Sequence, residues 1–268
     1  MVFSSLTFLF AFLPIFLVLY YCSPAKYRSG LLFSGSLLFY GIGEPLYLCL
    51  IICSVLVNLG IGLLIDRSGR LSGKRLWLIT GLLYNFGLLF FFKYTNFFLE
   101  NINGVLRLCH SSTQLKLLEL TLPLGISFYT FQIVSYIVDV YRGKVEADHS
   151  VNSLGAYLCM FPQLIAGPIV VYSDVRRELH KRTITIHNLD DGLKTFILGL
   201  GFKVLLANRV GTLWNEVCTI GFESISTPLA WLGSLAYSMQ LYFDFCGYSL
   251  MAIGLGKMLG FTIPVNFH

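Results

Sequence analysis

Apolar runs divide this chain at residues 2–21, 31–40, 46–65, 76–92, 121–141, 151–170, 193–208, 228–245 and 249–261. They are continuous, not alternating, which excludes the short two-sided strands of an outer-membrane barrel. They predict helices of a polytopic membrane bundle. A full crossing takes about 20 apolar residues. Run 31–40 is shorter and stops at Gly41-Ile-Gly-Glu-Pro45, which breaks a helix, so it reads as a half-span or a helix tucked among others. Run 193–208 carries Lys194 and Lys203 and is the weakest span. Run 151–170 is interrupted by Phe161-Pro-Gln and by Ala166-Gly-Pro168. The polar stretch 100–114 reads as a loop with a short surface helix. Residues 176–188 read as a segment lying along the cytoplasmic surface.

Charge adds an orientation and a conflict. Two loops are strongly basic, Asp66-Arg-Ser-Gly-Arg-Leu-Ser-Gly-Lys-Arg75 and Asp174-Val-Arg-Arg-Glu-Leu-His-Lys-Arg182. With Lys26 and Arg28, the first loop puts the N-terminus outside and these loops inside. Three apolar runs separate the two loops, so simple counting puts them on opposite sides. Run 151–170, broken by its prolines, is the expected segment that fails to cross. Broken helices at membrane depth are tolerated only where protein or a cavity surrounds them.

Composition agrees. Of 268 residues, 56% are hydrophobic and 12% charged, and the mean hydropathy is +0.72. Soluble domains carry roughly 25% charged residues. The net charge of +5 lies in short loops and implies the lipid bilayer, not nucleic acid, as partner. Residues 1–5 carry no Lys or Arg, so the first segment is expected to be retained. The seven cysteines form no CxxC pair and predict neither a disulfide framework nor a metal site. No repeat or separate soluble domain is visible; residues 1–268 read as one membrane domain.

Candidate chemistry lies where polar residues interrupt apolar runs. Phe128, Gln132, Tyr136 and Asp139 are spaced four, four and three, and share a helical face. Gln240, Asp244 and Tyr248 are four apart, with Gly247 as a candidate helix end before Tyr248. Gln163 sits inside the broken run. Such residues either hydrogen-bond neighbouring helices as packing glue or line a wet cavity. Two polar faces on separate segments favour a shared hydrophilic cavity, and the broken run would open backbone groups to it. Gly254-Leu-Gly-Lys-Met-Leu-Gly260 has no strand before it, which excludes a nucleotide loop. Ala252, Gly256 and Gly260 have the four-residue spacing of close helix packing. His110, His149, His180, His187 and His268 all lie outside apolar runs; the first four read as solvated loop residues, and His268 is the last residue. No Ser/His/Asp set or HExxH motif is present.

The motifs resemble a known family. Met1-Val-Phe-Ser-Ser5 with Phe12-Leu-Pro-Ile-Phe16, Leu122-Pro-Leu-Gly-Ile-Ser-Phe-Tyr-Thr-Phe-Gln132, Asp139-Val-Tyr-Arg-Gly143, Phe161-Pro-Gln-Leu-Ile-Ala-Gly-Pro-Ile169, Tyr242-Phe-Asp-Phe, Gly247-Tyr-Ser and Met251-Ala-Ile-Gly-Leu-Gly256 are similar to the membrane-bound O-acyltransferases. The bacterial branch that acetylates alginate matches best, and the branch that transfers D-alanine to teichoic acid is more distant. The resemblance implies an all-α bundle with broken or short helices around a funnel, in the bacterial inner membrane. It implies O-acetyl transfer to a cell-surface or exported polysaccharide such as alginate. The acyl donor would be acetyl-CoA or similar, as co-substrate with no bound cofactor. Partners would be extracytoplasmic glycan-acetylation proteins and the polysaccharide acceptor. Gln132, Tyr136, Asp139, Gln163, Gln240, Asp244 and Tyr248 would line the funnel.

Three departures accompany the resemblance. Leu250 follows Ser249 where relatives carry Asp, and Val170 and Val171 follow the Gly-Pro-Ile element where they often carry Arg. The family's catalytic histidine is expected beyond His268, after the element seen here as Pro264-Val-Asn-Phe267. None of the five histidines matches it, so no catalytic residue is expected among residues 1–268, and a truncated gene product or a fragment is implied. Two further readings stay open: a transporter or channel built around Asp139 and Asp244, and a non-catalytic remnant acting in assembly.

Overall fold

The computed structural model describes residues 2–109, 114–164, 167–221 and 224–267. His110, His268 and the Ile165-Ala166 pair of the broken motif lie outside the described residues. Among the described residues there is no strand, and helices account for nearly every apolar run. A π-helical turn, Phe8–Phe12, leads into α1 (Leu13–Cys22). Helix α2 (Arg28–Gly43) follows, then α3 (Leu48–Arg67) and α4 (Leu71–Leu108). Next come α5 (Ile126–Tyr141), α6 (Val151–Cys159), the short α7 (Phe161–Leu164) and α8 (Tyr172–His180). Helix α9 (Ile186–Gly201) passes through a π-helical turn, Phe202–Ala207, into α10 (Asn208–Ile220), and α11 spans Thr227–Met258. Three helical stretches, Pro45–Arg67, Leu71–Leu108 and Ile186–Ile220, are long and apolar enough to cross a membrane. The chain is an all-α membrane protein.

The break after α2 falls where Gly41-Ile-Gly-Glu-Pro45 predicts it. The Glu44 N–H closes on Tyr40 O, and Pro45 opens a new turn. The polar stretch 100–114 corrects the sequence reading, because α4 continues to Leu108. Asn96 and Asn103, seven apart on one face, explain how. Each side chain donates to and accepts from one backbone residue of the returning chain, Leu118 for Asn96 and Leu115 for Asn103, at 2.7–3.0 Å. These amides pin the returning segment along α4. At 1.5 Å per residue α4 is about 57 Å long, so even a strong tilt leaves one end outside a hydrocarbon core of about 30 Å.

Run 121–141 becomes helical only at Ile126, because Gly125 takes φ +74 against the α7 backbone at Leu164. Runs 228–245 and 249–261 are one helix: Gly247 does not end it, and α11 stops at Met258. There Gly260 takes φ +83, the Phe261 N–H reaches Gly256 O at 2.8 Å and the Gly260 N–H reaches Lys257 O at 3.0 Å, a Schellman cap. Gly260 therefore lies past the helix, and a β-carbon on Gly256 would meet Ile263 of the following chain. The close packing stripe runs instead through Gly247 and Gly254, which face Gly199 and Gly192 of α9.

The run 151–170 is broken where its Phe161-Pro-Gln motif predicts. Helix α6 ends at Cys159, Met160 leaves the helical conformation (φ −46, ψ 108), and α7 begins beside it. All of 153–164 is buried. Phe161 is the hub of an aromatic cluster with Phe3, Phe8, Phe12, Phe16 and Phe39. Lys26 and Arg28, before and at the start of α2, line the same cavity as Lys181 and Arg182. The second basic segment thus lies at the same end of the bundle as the α1–α2 turn. Helix α8 begins at Tyr172 and is amphipathic: Tyr172, Val175 and Leu179 are buried while Asp174 and Arg177 face outward.

Candidate functional site

The polar face of α5 is an internal network. Gln132, Tyr136 and Asp139 are all buried. The Tyr136 hydroxyl accepts the Asp148 N–H at 3.0 Å. Tyr172 on α8 donates to Asp148 Oδ2 at 2.9 Å, and its ring meets Tyr136 edge-on at 4.8 Å. Asp148, itself 3% exposed, also accepts the Ser150 N–H, and His180 Nε2 lies 3.8 Å from it. Asp139 Oδ1 faces Lys144 at 3.4 Å while Oδ2 has no partner. Both polar atoms of the Gln132 side chain also lack partners.

The break between α6 and α7 is sealed rather than open. The Tyr157 hydroxyl donates to Val170 O at 2.8 Å and approaches Gln132 O at 3.2 Å. Gln163 Nε2 donates to Tyr157 O at 2.8 Å, and the Phe161 N–H donates to Ser36 Oγ at 3.1 Å. The expectation that this break opens backbone groups to a cavity is corrected at Tyr157 O, Phe161 N–H and Val170 O, which side chains of this chain satisfy. Gln163 Oε1 has no hydrogen-bond partner among the described residues.

The face of α11 is more open. Lys203, in the π-helical turn after α9, meets Asp244 Oδ1 at 2.5 Å. A π turn inside an α-helix displaces one residue from the regular ladder and often marks a functional position. The pair borders a cavity of about 210 Å³ lined by Val2, Ser4, Phe245, Tyr248 and Met251. Tyr248 stacks on Phe3 at 4.7 Å, and its hydroxyl has no partner. Gln240 packs where Gly211 of α10 leaves room for it, with Oε1 unpartnered.

The seven nominated residues therefore fall into three groups. Helix α5 packs on α3, α4, α6 and α8, whereas α11 packs on α9, α10 and α7. Each polar face sits in its own helix group, and Gln163 on α7 stands at the junction. Five of the seven, Gln132, Asp139, Gln163, Gln240 and Tyr248, carry a buried polar atom with no partner among the described residues. Buried polar groups in folded proteins are nearly all satisfied, so these five stand out, and Tyr248 among them lines a cavity. Sequence reasoning missed Lys203 as the partner of Asp244. An intramembrane lysine needs a carboxylate, and that signal was available. It also missed Asp148, Tyr157 and Tyr172. Asp148 sits in a short polar loop, and nothing local marks it as buried. Among the described residues no cluster of His, Cys, Asp and Glu could hold a metal ion.

The chain is 41% identical over its whole length to the probable alginate O-acetylase AlgI of Pseudomonas aeruginosa, covering 51% of that protein. Relatives at about 40% identity over the full chain are named as alginate O-acetylases, of the membrane-bound O-acyltransferase family. The chain is also 35% identical, again over its whole length, to the peptidoglycan O-acetyltransferase of Helicobacter pylori, covering 56% of it. Over 54% of the chain it is 27% identical to the teichoic acid D-alanyltransferase of Bacillus subtilis, covering 37% of it. No family model matches. The chain spans about half the length of the alginate and peptidoglycan O-acyltransferases it matches.

Proposed function

We propose that this chain forms one part of an O-acetyltransferase that acetylates a cell-surface or exported polysaccharide such as alginate, from a multi-pass position in the bacterial inner membrane. The observation that carries the reading is the 41% identity, over the whole chain, to a probable alginate O-acetylase. The unpartnered polar atoms of Gln132, Asp139, Gln163, Gln240 and Tyr248 support it, because they suit a path for polar substrate through an apolar bundle. In this reading the donor is acetyl-CoA or a similar acyl carrier, used as co-substrate. A histidine acts as general base on the acceptor hydroxyl. It comes from the part of the relatives that this chain does not span, and extracytoplasmic acetylation proteins hand the product on. Residues 1–268 act as a single membrane domain that supplies walls, with Lys203 and Asp244 holding α9 and α11 in register beside the cavity. A transporter reading is less favoured, because Asp139 and Asp244 each have a lysine partner within separate helix groups.

A chimera tests this. The aligned half of the Pseudomonas aeruginosa relative is replaced by these residues in a strain lacking its own copy, and the acetyl content of the exported polysaccharide is measured by NMR. Acetylation at a substantial fraction of the parental level is expected. A chimera that reaches the membrane in normal amount but leaves the polysaccharide unacetylated would overturn the proposal.

A further inference from the structure

A second polar cavity lies away from the α5 and α11 faces, where the α1–α2 turn, the start of α6 and the end of α8 meet. It has a volume of about 310 Å³. Lys26, Arg28, Lys181 and Arg182 line it, with Asn152 and Ser153 from the first turn of α6. None of the four cations forms an ion pair among the described residues. Arg182 is held by neutral groups: it donates to the Tyr20 hydroxyl at 2.6 Å, to Ser29 Oγ and to Leu179 O, and its guanidinium lies 4.7 Å from the centre of the Phe261 ring. Burial holds its pKa below the ordinary guanidinium value. A fifth group, His180, also faces the cavity, but it is turned towards Asp148. The Asp148 carboxylate is already committed to the Ser150 N–H and the Tyr172 hydroxyl.

Two further features point to an anion. The N-terminus of α6 opens here, and a helix N-terminus presents free N–H groups and the positive end of its dipole. Ser150 caps it, with its Oγ accepting the Ser153 N–H at 3.4 Å. Ser153 itself is 3% exposed, and its Oγ has no hydrogen-bond partner among the described residues. A buried, unpartnered hydroxyl beside unpaired cations is a donor awaiting an acceptor.

We propose that this cavity binds a phosphate ester, and that the headgroup of an anionic phospholipid supplies it. The position favours a lipid, because the cavity sits where the apolar runs of α1 and α2 end, the level at which basic residues meet lipid phosphates. Lys26 and Arg28 approach from the turn and Lys181 and Arg182 from the segment after α8. Ser153 Oγ and the first turn of α6 supply neutral donors from the third side. A bound phosphate would tie α2, α6 and α8 together at their common end. This inference is independent of the acyl-transfer reading.

The test uses the full protein in nanodiscs of neutral phosphatidylcholine, with and without phosphatidylglycerol, and with inorganic phosphate added to the neutral discs. Thermal unfolding and native mass spectrometry of retained lipid are the readouts. Phosphatidylglycerol is expected to raise the midpoint and to remain bound. The double substitution K26Q/R28Q should weaken retention about tenfold or more, as loss of charge-assisted contacts predicts. Ser153→Ala is the gentler probe: it should leave the midpoint in neutral discs unchanged or raised, yet reduce the stabilisation by phosphatidylglycerol. Equal stabilisation by inorganic phosphate would support the site and assign it to a soluble phosphate. Stabilisation by neither, or stabilisation by phosphatidylglycerol undiminished in both variants, would overturn the inference.

Discussion

The α3–α8 group and the α9–α11 group use polar residues in opposite ways. In the first, polar side chains join helices. Asn58 and Asn85 exchange amide hydrogen bonds between α3 and α4 at 3.0 and 2.7 Å, and Tyr136, Tyr157 and Tyr172 tie α5, α6 and α8 to each other and to the loops around them. In the second, the helices meet through absence of side chains. Gly192 and Gly199 of α9 face Gly254 and Gly247 of α11 so closely that a β-carbon on any of them would lie 2.6–2.7 Å from a backbone oxygen opposite. Membrane helices lack a hydrophobic drive to associate and rely on such close packing or on interhelical hydrogen bonds. Unpartnered polar atoms occur in both groups, on Gln132 and Asp139 as on Gln240 and Tyr248. In the α9–α11 group, however, Lys203 and Asp244 pair at the edge of a cavity that Tyr248 also lines. That cavity points to the α9–α11 group as the side where a ligand meets the bundle.

The sharpest way to break this contrast is at the seam. Gly199→Val or Gly247→Val should prevent α9 and α11 from closing, at a cost of about 3 kcal/mol or more, since overpacking against rigid backbone cannot be relieved by rotamer changes. Gly60→Val and Gly87→Val, which have nothing within 4 Å of the added β-carbon, should be neutral or slightly stabilising, since valine has the higher helix propensity. Folded yield and unfolding midpoints in detergent measure both, and equal losses at all four sites would refute the seam.

A smaller effect is expected at the ion pair. Lys203→Met leaves Asp244 unpaired and should destabilise by about 1–2 kcal/mol, below the range for fully buried pairs because both side chains are partly exposed. Adding Asp244→Leu should recover most of that loss, and a double variant no better than the single one would show that the pair is not the link. In the α3–α8 group, Asn85→Leu should cost about 1 kcal/mol, the scale of an interhelical hydrogen bond in a membrane protein. An Asn58→Leu, Asn85→Leu pair should then be less than additive in unfolding measurements.

The smallest change in stability belongs to Tyr248→Phe. Its hydroxyl has no partner, so the midpoint should move by less than about 0.5 kcal/mol. If the hydroxyl meets substrate, acetylation by the chimera should fall while stability holds. Unchanged acetylation would move the ligand path away from Tyr248.

Much of the fold was legible in the chain, and the reason is physical. Hydrocarbon forces backbone groups to bond within a segment, so a continuous apolar run reads as a helix. Proline and glycine at 41–45 and 161–168 stop such runs through local backbone chemistry. The breaks after α2 and α6 were therefore visible. Where a neighbour decides, the pattern misled. Gly247 is a helix breaker by propensity, yet it lies inside α11 because α9 packs on it. The stretch after Glu100 looks like a loop by polarity, yet Asn96 and Asn103 turn that polarity to holding the returning chain. The seven candidate residues were found because polar groups in apolar runs stand out. Their grouping was not, since two faces of similar chemistry carry no mark of whether they meet.

The sequence by itself determined that this is an all-helical membrane chain, where its helices break and which polar residues are unusual. Those properties follow from local composition and spacing. Only the tertiary structure decided that Lys203 answers Asp244, that Asp148 is buried among tyrosines, that the basic segments share one end, and that the two polar faces belong to different helix groups. Each of these depends on contacts between residues far apart in the chain, and the free energy of such a contact appears only once the helices are packed.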